Sequence, residues 1–206
     1  MPVVWLNWET AHLHGEAWIS HHRLRHRLFV DRQQWEIPTF RGLEYDEFDT
    51  PAAQYLIWLD GRGETRGVAR LLPTTRPYMV KTLWPELVIG KLPESDAVWE
   101  VTRFGCDHNL DSKTRRRAVA EILCAMQEFG LQRGMDGYLV VTSRRLLKRV
   151  VVNAGCAVTE LGPERILGRR PALAGYIHID RETLRVLRRR AGIADPALRP
   201  EMSVAA

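Results

Sequence analysis

Cysteine is scarce in this chain. Cys106, Cys124 and Cys156 are the only three in 206 residues. Their number is odd and no pair stands at a metal-ligand spacing, so neither a disulfide framework nor a bound metal is expected. They read as reduced, buried thiols. No apolar run approaches the roughly 18 residues that a membrane span needs, so membrane insertion is not expected. The opening Met1-Pro2-Val3-Val4-Trp5-Leu6 lacks a basic start and a small-residue cleavage site. No signal peptide is therefore expected, and the expected location is cytoplasmic. No serine or cysteine sits in a recognisable nucleophile motif, and no internal repeat is visible.

What is present is the balance of a folded soluble protein: 45% hydrophobic and 27% charged residues. The length suits one domain, expected over residues 1–193. The tail over 194–206, with two prolines and several small residues, is expected to be loosely held. The net charge of +5 favours an anionic partner without choosing it.

The pattern predicts a strand over residues 3–8 and a helix over 9–30. On that helix His22 and His26 stand four apart, but no glutamate lies between them, and hydrogen-bonded or solvated histidines are the simpler reading. A long loop over 31–50 follows; loops of this length are commonly functional. A hairpin is expected from strands over 54–59 and 65–72, then a strand over 97–106. Asp111 or Ser112 caps a long helix over 113–133, ended by Gly134. A strand over 137–142, a short helix up to Gly155, strands over 157–161 and 174–179, and a helix after Asp180 complete the chain. The order implies an α/β three-layer sandwich, with a mixed central sheet covered by helices on both faces.

The chemistry concentrates between Arg23 and Arg103. Glu44, Asp46 and Asp49 stand in one loop, and Arg25, Arg70 and Arg103 come from three distant segments. Phe29 and Trp35 add aromatic faces. Opposite charge gathered around aromatics suggests a polar pocket, with Arg25 and Arg70 also able to act as structural partners of the loop.

Those residues, with Glu100 and the run Arg70-Leu71-Leu72-Pro73-Thr74-Thr75, resemble the acyl-homoserine-lactone synthases, or autoinducer synthases. The resemblance spans roughly residues 15–180. One position departs: the family usually has phenylalanine before a proline, where this chain has Trp84-Pro85, which implies an altered pocket shape. The resemblance implies an N-acetyltransferase-like fold. It also implies two substrates, S-adenosylmethionine and an acyl group carried on acyl carrier protein or coenzyme A. The methionine amine attacks the thioester. The methionine carboxylate then displaces methylthioadenosine and closes a lactone ring, giving a quorum-sensing signal.

The residue types suit that chemistry. Carboxylates such as Asp46 and Asp49 can hold the cationic parts of S-adenosylmethionine, and Arg25, Arg70 or Arg103 can grip its carboxylate. Phe29 and Trp35 suit a sulfonium and an adenine. An α-amine has a pKa of about 8 and must lose a proton to attack. Glu44 and Glu100 are both candidate bases, and the sequence does not separate them. No metal or further cofactor is needed.

An acyl slot is expected from Val98, Val101, Phe104, Met126, Leu139, Val140 and Val141. The family often has threonine at the position of Val140 in members that use 3-oxo acyl groups, so an unsubstituted or unusual acyl group is expected here. Lys113, Arg115, Arg116 and Arg117 open one helix, and Arg144, Arg145, Lys148 and Arg149 line the next. Cations at a helix start oppose its dipole, so donor docking is the suggested use, with carrier protein preferred over coenzyme A.

Two other readings compete. An N-acetyltransferase using acyl-coenzyme A would usually cradle pyrophosphate in a glycine-rich turn, where this chain has Asn109-Leu110-Asp111-Ser112-Lys113-Thr114. A nucleic-acid-binding module would interleave basic and aromatic residues, and the acidic loop would repel phosphate. No nucleic-acid partner is expected.

Overall fold

A computed structural model of the protein describes residues 3–199. Its main sheet joins β1 (Val4–Asn7), β4 (Gln54–Leu59), β5 (Thr65–Pro73), β6 (Val98–Cys106), β7 (Gly137–Thr142), β10 (Arg170–His178) and β8 (Val158–Glu160) in that order, with β9 (Arg165–Leu167) beside β10. A small hairpin, β2 (Thr39–Phe40) and β3 (Leu43–Glu44), stands apart. The sheet is antiparallel except between β6 and β7, so it is mixed as expected. Turn chemistry sets the β4–β5 hairpin: Asp60 Oδ1 accepts from the Arg62 and Glu64 amides at 2.8 and 3.1 Å, and Gly63 takes φ +80°.

Helices α1 (Gly15–Arg25) and α2 (Met79–Leu83) cover one face, and α3 (Ser112–Gln132) and α5 (Arg181–Ala191) cover the other. The short α4 (Arg144–Leu146) runs into a wider turn over Leu147–Val152. Asp111 caps α3 by accepting from the Lys113 and Thr114 amides at 2.9 and 3.0 Å. Asp180 caps α5 through the Thr183 amide at 2.7 Å. The expected first helix begins later than predicted and extends through a wider turn over His26–Arg32. No helix among the described residues is long and apolar enough to cross a membrane.

Alternation along the strands divides two cores. Leu56, Trp58, Ala69, Leu71 and Val101 pack towards α3, with Ile122, Met126 and Phe129. Tyr55, Ile57, Val68, Leu72 and Leu139 pack towards α1. The three cysteines are free and buried on the α3 side, and burial pushes the Cys106 thiol up to about 12.

Two irregularities in β6 position the site. Its parallel pairing with β7 runs only from Val98–Gly137 to Val101–Val140, and β6 continues to Cys106 without that partner. Against β5, the register steps from Val68–Gly105 to Arg70–Thr102, so β6 carries one extra residue. That bulge holds Arg103 at φ +49°, a backbone conformation costly for a non-glycine residue. Beside it, a Cβ on Gly105 would stand 2.9 Å from Leu28 Cδ1, so glycine lets the extension of α1 pass close to the strand.

Residues 197–199 pack back on the domain. The amides of Ala197 and Leu198 donate to Glu128 at 3.1 and 2.7 Å, and Arg199 N donates to Val3 O at 2.8 Å. Residues 200–206 lie outside the described part.

Candidate active site

The loop carboxylates fold inward because they make their own turn. Asp46 Oδ1 accepts from the Phe48 amide at 2.9 Å, and Asp49 Oδ2 accepts from the Asp46 amide at 2.8 Å. Both side chains then face the α1 side of the sheet. Arg25 grips Asp49 with two hydrogen bonds of 2.7 and 2.8 Å and reaches Glu44 Oε2 at 2.5 Å. Arg70 grips Asp46 at 2.5 and 2.9 Å. Arg103 spans Glu44 Oε1 at 3.1 Å and Asp46 Oδ2 at 2.6 Å.

Three carboxylates thus face three guanidiniums in a nearly dry setting, so the formal charges cancel. Burial opposes ionisation of Asp49, but hydrogen bonds from Arg25 and the charge of Arg70 outweigh it and hold the carboxyl far below its usual range. Burial likewise opposes the charge on Arg25, and Asp49 and Glu44 reverse the direction. The oxygens of Glu44, Asp46 and Asp49 lie within 4.8 Å of one another, close enough for one cation, yet guanidiniums already answer their charge.

Glu100 differs from Glu44. Both are buried, but Glu44 is held by Arg25 and Arg103. Among the described residues, Glu100 accepts only from the Met79 and Val80 amides, at 2.7 and 3.0 Å. Burial pushes its carboxyl up to about 7 against those two bonds. A carboxyl poised there can exchange a proton near neutral pH. Met79 links the groups: its sulfur lies 3.4 Å from Arg70 Nη2, and its amide holds Glu100.

Phe29 and Trp35 stack at 5.0 Å between ring centroids, and the Arg103 guanidinium lies 5.6 Å from each. Trp35 is 38% exposed, so this aromatic pair opens to solvent while the ion cluster does not. Beneath the cluster His22 Nδ1 lies 2.8 Å from the Glu44 carbonyl, and its ring stacks on Tyr45 at 3.8 Å. Burial, then the charge of Arg25, lowers His22 to about 4. His26 instead faces Asp31 at 3.3 Å, so the two histidines do not converge.

The proposed acyl residues divide between the faces. Val98, Leu139 and Val141 pack with the α1-side core, and Val101, Phe104, Met126 and Val140 with the α3-side core. β6 and β7 part beyond Val101 and Val140. Both strands run towards that opening, and the two basic clusters follow their ends. Arg117 is engaged with Glu121 at 2.6 Å and Arg144 with Glu160 at 2.8 Å. Arg115 Nη1 donates to the His108 carbonyl at 3.2 Å. Lys113, Arg116, Arg145, Lys148 and Arg149 are exposed and make no ion pair among the described residues.

A family model described as autoinducer synthase matches residues 12–187. The chain belongs to that family. It is 35% identical over 181 residues to an acyl-homoserine-lactone synthase of Ralstonia solanacearum, covering 84% of this chain and 86% of the relative. A solved CoA-dependent acyl-homoserine lactone synthase, bound to SAM and isopentyl-CoA, matches with a TM-score of 0.86 at 29% identity, over 95% of this chain and 91% of that one. A putative N-acetyltransferase from Lactobacillus plantarum, 15% identical with a TM-score of 0.55, covers 87% of this chain and 100% of its own, and shows the shared fold. The autoinducer synthase assignment makes this an acyl-transferring enzyme of the lactone-synthase class, and favours that reading over the acetyltransferase alternative.

Within this autoinducer synthase, four neighbours of the cluster escape a reading of the sequence. Thr102 Oγ1 accepts from Arg70 Nε at 2.9 Å, and Tyr55 OH donates to Asp49 Oδ1 at 2.7 Å. Met79 and His22 complete the set. A same-face alternation from Glu100 to Thr102 is the signal that could have found Thr102; a lone methionine after a proline turn offers none.

Proposed function

We propose that this enzyme joins S-adenosylmethionine to an acyl thioester in the cytoplasm and cyclises the product to an N-acyl-homoserine lactone. The observation that carries the roles is the contrast between Glu100, raised towards neutrality, and its fully paired acidic neighbours. Phe29 and Trp35 receive the adenine and sulfonium. Arg70 and Arg103 hold the methionine carboxylate, on the frame that Arg25, Glu44, Asp46 and Asp49 make rigid. Glu100, directly or through a water, takes a proton from the methionine amine. The nitrogen bonds to the thioester carbonyl carbon, the carbon–sulfur bond breaks, and the thiol leaves. The methionine carboxylate then attacks its own γ-carbon, the bond to the sulfonium breaks, and methylthioadenosine departs. No further cofactor enters this sequence.

The acyl chain lies in the opening between β6 and β7, beyond Val101 and Val140. Coenzyme A is the donor that the likeness to a CoA-dependent synthase supports. The unpaired cations Arg145, Lys148 and Arg149 support carrier protein as a second reading, because an acidic protein face would meet them. With Val140 offering no hydroxyl, the acyl group is unsubstituted or unusual, and not a 3-oxo group.

The test is mass spectrometry of purified protein with S-adenosylmethionine and matched acyl-coenzyme A and acyl-carrier-protein panels. Lactone together with methylthioadenosine is the expected result. S-adenosylmethionine binding without lactone from any donor would overturn the reading, and a 3-oxo product would overturn the acyl assignment.

A further inference from the structure

The side chains of the acidic loop are held by arginines, but its main chain is held by a histidine. Among the described residues, the hydrogen bond from His22 Nδ1 to the Glu44 carbonyl, at 2.8 Å, is the only one that ties the backbone of residues 38–50 to a helix or to the main sheet. We propose that His22 is a positioning residue for S-adenosylmethionine, pinning the Glu44 peptide so that the acidic loop keeps its place when Arg103 turns to the methionine carboxylate. The proposal rests on the reading above in which Arg70 and Arg103 hold that carboxylate.

Three observations carry it. First, the loop has no other backbone anchor. Strands β2 and β3 pair with each other and stand apart from the main sheet. The turns that follow close on the loop itself, Tyr45 N donating to Pro38 O at 3.3 Å and Asp49 N to Asp46 O at 3.1 Å.

Second, the donor is fixed and neutral. A carbonyl only accepts, so Nδ1 carries the proton. The ring is fully buried, stacks on Tyr45 at 3.8 Å and lies 3.9 Å from the ring of His21. Burial, then the charge of Arg25, lowers its pKa to about 4, so it is uncharged near neutral pH. Nε2 is buried with no partner among the described residues. A leucine would fill this space without an unpaired buried nitrogen, which costs stability. What the histidine adds is the bond to Glu44.

Third, the pin stands beside the clamp. His22 and Arg25 lie three apart on α1 and so share a face. Arg25 Nε reaches the Glu44 carboxylate at 2.5 Å while His22 holds the carbonyl of the same residue. Arg103 is divided between Glu44 and Asp46, at 3.1 and 2.6 Å. A substrate carboxylate competes with both for that guanidinium. The ion pairs loosen when it is shared; a neutral bond to the backbone does not.

The experiment measures the Kd of S-adenosylmethionine by calorimetry, together with the KM of the acyl donor, per folded molecule in the wild type, His22→Phe, His22→Asn and His22→Gln. Phenylalanine keeps the stack and loses the donor. The amide nitrogen of asparagine is bonded to Cγ, as Nδ1 is; that of glutamine stands one bond further out. The Kd is expected to rise about tenfold in His22→Phe and His22→Gln and to recover in His22→Asn, with the donor KM unchanged. An unchanged Kd in His22→Phe would overturn the proposal, and so would an equal rise in the donor KM, which marks general loosening. If His22→Phe does not fold, the asparagine and glutamine variants decide, and equal Kd values in those two would overturn it. A wild type that does not bind S-adenosylmethionine would overturn the parent reading and this one with it.

Discussion

The two faces of one sheet solve opposite problems with the same strands. Towards α3, β5 contributes Ala69 and Leu71, and the space fills with Ile122, Met126 and Phe129. Towards α1, the same strand contributes Arg70 between Val68 and Leu72, and a cluster of guanidiniums and carboxylates is set into an apolar core. The apolar face gains stability from every buried methylene. The charged face recovers its desolvation cost where three carboxylates and three guanidiniums pair with one another. Order on one side is a matter of shape; on the other it depends on each hydrogen bond being made, and that pre-set geometry is what a two-substrate reaction can use.

Several changes would break or sharpen this contrast. The largest effect is expected from Glu100→Gln, at the proton acceptor proposed above. It should lower kcat by about 10²–10⁴-fold with S-adenosylmethionine still bound, as calorimetry and single-turnover assays would read. The wild-type kcat/KM should rise as pH rises through about 7, since the base works when deprotonated, and the variant should lose that limb. A limb unmoved in Glu100→Gln would assign it to another group.

Next comes Asp49→Ala, which takes from Arg25 and Arg70 one of the two carboxylates that each holds. It should cost about 3–5 kcal/mol in urea unfolding, the range for breaking a buried pair. Ile122→Ala on the opposite face should cost about 2–5 kcal/mol, with kcat/KM per folded molecule unchanged. Equal catalytic losses in the two variants would dissolve the distinction between the faces. Smallest is Asp111→Ala, expected to lower the melting temperature slightly by removing the α3 cap. Thermal melts would show it.

Much of this was legible in the sequence, for physical reasons. The α3 pattern of Ile122, Leu123, Met126 and Phe129 repeats at helical spacing, and Asp111 and Asp180 are strong caps. Arg25, Arg70 and Arg103 could be matched with the acidic loop because the family resemblance registers them together. The acyl set was less well read. Leu139, Val140 and Val141 are consecutive in one strand, so alternation forbids all three from facing one slot. The strand β9 is short, with two of its three residues exposed, and left no periodic signal. Glu44 and Glu100 are the same residue type at equally plausible positions; only their partners, set by the tertiary fold, tell them apart.

A strand counts its residues in twos, and a surface built from it can offer only every second side chain to a substrate. The bulge at Arg103 adds one residue to that count. Thr102 and Arg103, neighbours in sequence, both serve the charged cluster. Phe104 and Cys106 beyond the bulge still fall in step with the apolar core. Removing a single residue here would put the strand's outer half back into regular alternation and turn the guanidinium away from Asp46, while the rest of the sheet kept its register. The left-handed backbone at this position works as a phase marker, and it ties the spelling of β6 to the chemistry on one side of it.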